Sequence, residues 1–215
     1  GGEQDMTQPP VEEFKGTFKG PLEPMSLQAV EYIIIHHAAS DDPRLDVMTV
    51  HGWHQERGWA GVGYHFFIKQ DGIIQAGRPL ATRGAHTLGY NDRSWGVCFA
   101  GHFERRPPTL AQMQSLDLLL PYLKDLKPNL TVGGHGEFQA TLCPGKLFPL
   151  EQVKKKYNAP PPPLPPRLVL NGQPTSVPVV LIEGRGYMEI RSFAEAVKAR
   201  RLHWDEATRT IYLDL

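Results

Sequence analysis

Tyr32-Ile33-Ile34-Ile35-His36-His37 is the stretch whose reading decides the fold. Three consecutive β-branched residues favour a pleated backbone covered on both faces, so a core strand is predicted over 31–36. Two imidazoles stand at its C-terminal end. A buried strand is a rigid mount, and rigid mounts hold metal ligands better than loops do. His36 is therefore a candidate ligand, although a histidine at a strand end is by itself more often structural or merely exposed.

Around this strand the chain is long enough, at 215 residues, to bury a core and hold one or two domains. Its 23 basic and 23 acidic side chains balance, so no net field draws it to nucleic acid or an anionic membrane. No apolar run approaches the ~20 residues of a membrane span. The two cysteines are too few for a disulfide framework. Gly1-Gly2 reads as a cloning remnant, and a signal peptide could have been removed.

Residues 1–30 form an arm punctuated by Pro and Gly, with Phe14 and Phe18 as candidate anchors. Ser40-Asp41-Asp42-Pro43 offers a turn or helix cap. Val47, Val50, Trp53 and His54 fall at helical spacing before Gly58. A hairpin follows, with strands at 64–69 and 73–76 about Asp71-Gly72. A polar loop, 84–93, leads into a buried strand at 95–100. Thr109 and Gln112 form a capping box for a helix reaching Leu126, which Pro121 is expected to kink or divide. Strands interleaved with helices predict an α/β domain with a mixed central sheet flanked by helices.

Downstream, the loop 133–145 places His135 and Cys143 eight positions apart in a segment too Gly-rich for a helix. With His36 the set is two imidazoles and a thiolate, a mixture that suits zinc. Three protein ligands leave the fourth position open, which is the catalytic pattern. A zinc ion there would activate water at neutral pH. The competing reading of Cys143 is a buried thiol acting as a small hydrophobe, the role expected of Cys98. His51, His54, His102 and His203 read as core or surface residues.

Several segments now carry a family resemblance: 32–40, Gly63-Tyr64-His65-Phe66-Phe67-Ile68, Gly84-Ala85-His86-Thr87, Gly89-Tyr90-Asn91, Ser94-Trp95-Gly96-Val97, and His135 through Cys143-Pro144-Gly145. Together they resemble the zinc-dependent N-acetylmuramoyl-L-alanine amidases, in the branch of phage amidase-type lysozymes and peptidoglycan recognition proteins. The resemblance spans about 31–157. It implies a mixed sheet with zinc (Zn2+) held by His36, His135 and Cys143 at the base of a groove. It also implies Tyr64 and Thr141 as catalytic hydrogen-bond donors, and His86 and Asn91 as substrate contacts. Tyr64 has a second reading as a core aromatic closing the hairpin. Thr141 stands where phage lysozymes carry a lysine, and Cys98 where some relatives carry a glutamate, so the general base is open; Glu137 is a substitute by sequence proximity only. His37 is either a partner that orients a ligand or a packed histidine, and Arg83 either faces the groove or is solvated. The implied reaction is hydrolysis of the amide between N-acetylmuramic acid and L-alanine in peptidoglycan, by a phage or prophage endolysin or an autolysin at the cell wall. The alternative is a non-catalytic recognition protein on the same fold, which typically lacks the cysteine ligand. A purely structural zinc is the third reading.

The catalytic domain is thus expected at 31–158, followed by a polyproline linker at 159–166. Residues 167–215 resemble the small module named for the N-terminal domain of copper amine oxidases, though they hold no copper-ligand cluster. Their pattern predicts an α+β unit: a turn at Asn171-Gly172, a strand at 177–182, a helix at 192–199 and a closing hairpin. Wall anchoring, spacing and dimerisation are equal readings for it.

Overall fold

The computed structural model describes residues 8–158, 167–170, 173–178, 180–182, 185–187 and 201–214. The chain divides into two compact units, Gly1–Ala159 and Pro160–Leu215. The first contains β1 (Val11–Glu12), β2 (Tyr32–His37), α1 (Val47–Glu56), β3 (Phe66–Ile68), β4 (Ile74–Ala76), β5 (Ser94–Phe99), α2 (Leu110–Leu126), β6 (Thr131–Gly134) and α3 (Leu150–Tyr157). Its six strands form one mixed sheet in the order β1-β4-β3-β5-β2-β6. The isoleucine strand β2 lies inside it, parallel to β5 on one side and β6 on the other. Within this sheet β3 and β4 pair antiparallel, as the Asp71-Gly72 turn predicts.

Alternation along β2 sorts its side chains between two cores. Ile33 and Ile35 join Trp95, Val97 and Val132 against Leu116, Leu119, Leu120 and Leu123 of α2 and Val153 of α3. The four α2 leucines are fully buried, and each such side chain stabilises by about 1.5–3 kcal/mol. Phe67 and Cys98 belong to the second core, under Val47 and Val50 of α1. His36, one residue beyond Ile35, shares this second face, where α1 covers only part of the sheet.

The helix signals are informative in different degrees. Thr109 and Gln112 form the predicted capping box, and Gln112 is buried with its amide donating to the carbonyls of Ile68 and Ala100. Pro121 does not divide α2, which runs unbroken; Leu119, Leu120 and Leu123 pack on either side of the missing hydrogen bond and hold the helix together. The cap of α1 is Asp46, accepting the Thr49 N–H at 2.8 Å, while the Ser40–Pro43 segment is a turn in which Asp42 accepts the Arg44 N–H. Phe14 and Phe18 pack edge-on to His51, pinning the arm to the second core.

The second unit contains β7 (Arg167–Leu170), β8 (Gln173–Pro178), β9 (Val180–Ile182), β10 (Arg185–Tyr187), β11 (Arg201–Asp205) and β12 (Thr210–Asp214). Four of them make a sheet ordered β11-β12-β7-β8, and β9 pairs with β10. Strands β7 and β8 meet antiparallel at Leu170 and Gln173, around the predicted turn, and β11 and β12 form the closing hairpin. The strand expected at 177–182 covers the end of β8 and the whole of β9, with residue 179 outside the described residues. Asn171-Gly172 and the helix expected at 192–199 lie outside the described residues.

Three histidines outside the ligand strand serve the backbone. His51 Nδ1 accepts the Val62 N–H at 3.0 Å, His54 Nδ1 accepts that of Gly63 at 3.0 Å, and His65 Nδ1 accepts that of Gly96 at 3.1 Å. Burial lowers His54 and His65 from 6.5 to about 4. Between those values the unfolded chain binds more protons than the fold. Stability is therefore complete above about pH 6.5 and falls as pH drops towards about 4, by about 3 kcal/mol for the fully buried His65 and by less for His54, whose charge water partly screens. Urea unfolding of the metal-free protein at about pH 7 and about pH 5 checks this. A flat profile over that interval would mean that both rings reach water in the fold.

Candidate metal centre

Register brings the first two ligands together. Ile35 of β2 pairs with Gly134, the last residue of β6. The residue that follows each in the chain is a histidine, and the His36 and His135 rings stand with centroids 4.5 Å apart. Beyond β6 the chain makes a 3-10 turn, His135–Glu137, then a loop closed by the Gly136 N–H on the Cys143 carbonyl at 2.8 Å. Gly136 must be glycine for this closure, since a Cβ there would lie 2.8 Å from the Thr141 carbonyl oxygen. The closure turns Cys143 back to β2, with Sγ 3.7 Å from His36 Nδ1. One ligand atom from each of His36, His135 and Cys143 lies within 4.8 Å of the others.

Hydrogen bonds decide which nitrogen each ring presents. The Ser94 hydroxyl donates to the Tyr90 carbonyl at 2.6 Å, so its oxygen accepts from His86 Nε2 at 3.3 Å. His86 Nδ1 then accepts from His36 Nε2 at 3.0 Å, which leaves the His36 Nδ1 lone pair facing the sulfur. On the other ligand, His135 Nε2 lies 2.7 Å from Gln139 Oε1. With Nε2 occupied, Nδ1 is the free ligand atom there too.

Electrostatics match this arrangement. Burial, then the neighbouring His86 and His135, keeps His36 well below the ordinary imidazole range, so its lone pair is available at neutral pH. Burial pushes the Cys143 thiol up to about 12, while the His37 N–H, 3.4 Å from Sγ, acts in the opposite direction. A bound cation inverts that balance, because a coordinating thiol gives up its proton. Two imidazole nitrogens and a sulfur that becomes anionic on binding suit a borderline-soft ion, and zinc fits the set.

The remaining expected residues divide into two groups. The Tyr64 ring lies 5.0 Å from that of His36. Burial, followed by Cys98 and Cys143, holds its phenol well above 10. Thr141 is exposed, and its oxygen accepts the Cys143 N–H at 3.3 Å. Both stand beside the cluster. His86 and Asn91 line a cleft of about 430 Å³ with Trp59, Leu88, His135 and Gln139. Yet the His86 ring is spent internally on His36 and Ser94, and Asn91 Oδ1 accepts the N–H groups of His86 and Thr87. Both build the wall as well as facing the cleft, a role the substrate-contact expectation did not include.

Arg83 is paired with Glu23 at 2.7 Å. Glu137 is held by Lys154 and by the Gly134 N–H, which engages the carboxylate considered as a substitute base. His37 contributes through its backbone, while its ring accepts the Phe103 N–H at 3.0 Å. The hydrogen-bonding roles of Gln139 and Ser94 escaped the sequence reading, because neither residue belongs to a periodic or metal-spacing pattern.

Known proteins share this architecture. A family model described as N-acetylmuramoyl-L-alanine amidase matches residues 26–146. An endolysin of Escherichia phage T7 is 37% identical over 123 residues, covering 54% of this chain and 82% of the relative. A peptidoglycan-recognition protein of Drosophila melanogaster is 32% identical over 147 residues, covering 64% and 80%. Among solved structures, an endolysin N-acetylmuramoyl-L-alanine amidase from Clostridium intestinale superposes with a TM-score of 0.65 at 35% identity, covering 71% of this chain and 98% of that one. The ligand cluster falls within the matched segment, and the chain belongs to the N-acetylmuramoyl-L-alanine amidase family.

Proposed function

We propose that this amidase depends on zinc and cleaves the amide joining the lactyl group of N-acetylmuramic acid to the L-alanine of the peptidoglycan stem. One observation carries the reading: donor atoms of His36, His135 and Cys143 lie within 4.8 Å of one another beside an open cleft. Three protein donors are the catalytic pattern for zinc, which then keeps a position for water or substrate. When bound, zinc supplies Lewis acidity, lowering the pKa of water to about 7 and polarising a carbonyl.

The chain's own residues do the rest. His36 and His135 offer lone pairs because their Nε2 protons are held elsewhere. The His37 N–H offsets negative charge on the Cys143 sulfur. Tyr64 keeps its proton throughout the neutral range, so it acts as a donor to the oxyanion that develops at the scissile carbonyl. Thr141 adds a second neutral donor from the Cys143 loop. His86 holds His36, and Asn91 shapes the wall against which the stem peptide lies.

We read 31–158 as the catalytic domain, 159–166 as a linker and 167–215 as the copper amine oxidase N-terminal-like module, serving as wall anchor or spacer. The site of action is the bacterial cell wall, reached as a phage or prophage endolysin or as an autolysin. The relatedness to endolysins supports the former.

Digestion of purified sacculi is expected to release new L-alanine amino termini with as-isolated protein, to stop after chelation and to resume with zinc. Binding of sacculi without new termini in any state would make this a recognition module instead. Tyr64→Phe is expected to lower kcat by about 10²–10³ with zinc content unchanged. Thr141→Val is expected to cost about tenfold; wild-type kcat in either variant would remove that residue from the chemistry.

A further inference from the structure

The loop between Gly84 and Arg93 reaches both candidate ligands, His36 directly and His135 through Gln139. His86 accepts from His36, and the backbone N–H of Leu88 donates to Gln139 Oε1 at 3.0 Å while that same oxygen lies 2.7 Å from His135 Nε2. A backbone N–H cannot act as an acceptor. The Gln139 atom facing Leu88 is therefore its carbonyl oxygen, and His135 must be the donor in the shared contact. One carboxamide oxygen thus fixes the His135 tautomer and ties down the cleft wall at a residue that is itself 77% exposed.

We propose that Gln139 is a positioning residue that aims His135 Nδ1 at the cation and couples occupancy of the metal centre to the order of the wall at Leu88. The inference rests on the metal-centre reading above. Coordination at Nδ1 withdraws electrons from the ring and makes its Nε2–H a stronger donor to Gln139, so a loaded site holds the carboxamide, and with it Leu88, more firmly. By linkage, a wall held in place favours loading to the same degree.

The test uses the full chain with zinc alone as ligand. In the wild type, the Leu88 amide should exchange more slowly after zinc is added, and ¹⁵N NMR of the metal-free protein should show His135 protonated at Nε2. Gln139→Ala should lose zinc affinity by about 10–100-fold in chelator competition, give mixed His135 tautomers and abolish the zinc response at Leu88. Gln139→Glu, which keeps an acceptor for both donors, should restore all three. Wild-type affinity, tautomer and exchange in Gln139→Ala would overturn the proposal while leaving the metal centre intact. If the wild type itself takes up no zinc, both readings fall.

Discussion

Two imidazole rings 4.5 Å apart must present lone pairs, not protons, to a single point, and the site depends on how that condition is met. A neutral imidazole carries its proton on either nitrogen, and the wrong choice at either ligand would point an N–H at the cation. Here each choice is traced to a backbone group whose hydrogen-bonding sense is fixed. The Tyr90 carbonyl decides it for His36, through Ser94 and His86; the Leu88 N–H decides it for His135, through Gln139. Both of those backbone groups lie in the 84–93 loop, so the same short segment that walls the cleft also sets the tautomers of His36 and His135.

The scaffold explains how so few residues suffice. Parallel pairing of β2 with β6 makes neighbours of side chains far apart in sequence, and alternation sends His36 to the face that α1 leaves partly open. The opposite face is sealed by the α2 leucines. A register slip of one residue in β2 would turn His36 into that apolar core. The strand's isoleucines thus fix the placement of His36 as well as the fold.

Much of this was legible beforehand. Ile33-Ile34-Ile35 announced the core strand, Asp71-Gly72 the hairpin and Thr109 with Gln112 the long helix, because each signal acts through neighbours in sequence. That His36, His135 and Cys143 could converge was legible from residue chemistry and family pattern together, and the fold does cluster them. What stayed hidden depends on tertiary placement. Pro121 lies in a helix that its packed leucines keep whole; Asp46, not the Ser40–Pro43 turn, caps α1; and Glu137, a candidate base by proximity, is committed to Lys154 and Gly134. Gln139 is one polar loop residue among many until the fold sets it between His135 and Leu88.

The partly covered position of Cys143 has a consequence for the protein's durability. Thiolates, not thiols, react with peroxides and disulfides. With its thiol held up to about 12 by burial, a metal-free centre keeps its sulfur protonated and slow to oxidise. Should the three residues hold zinc, loss of the ion would leave a sulfur whose reactivity is set by how deeply one side chain is packed.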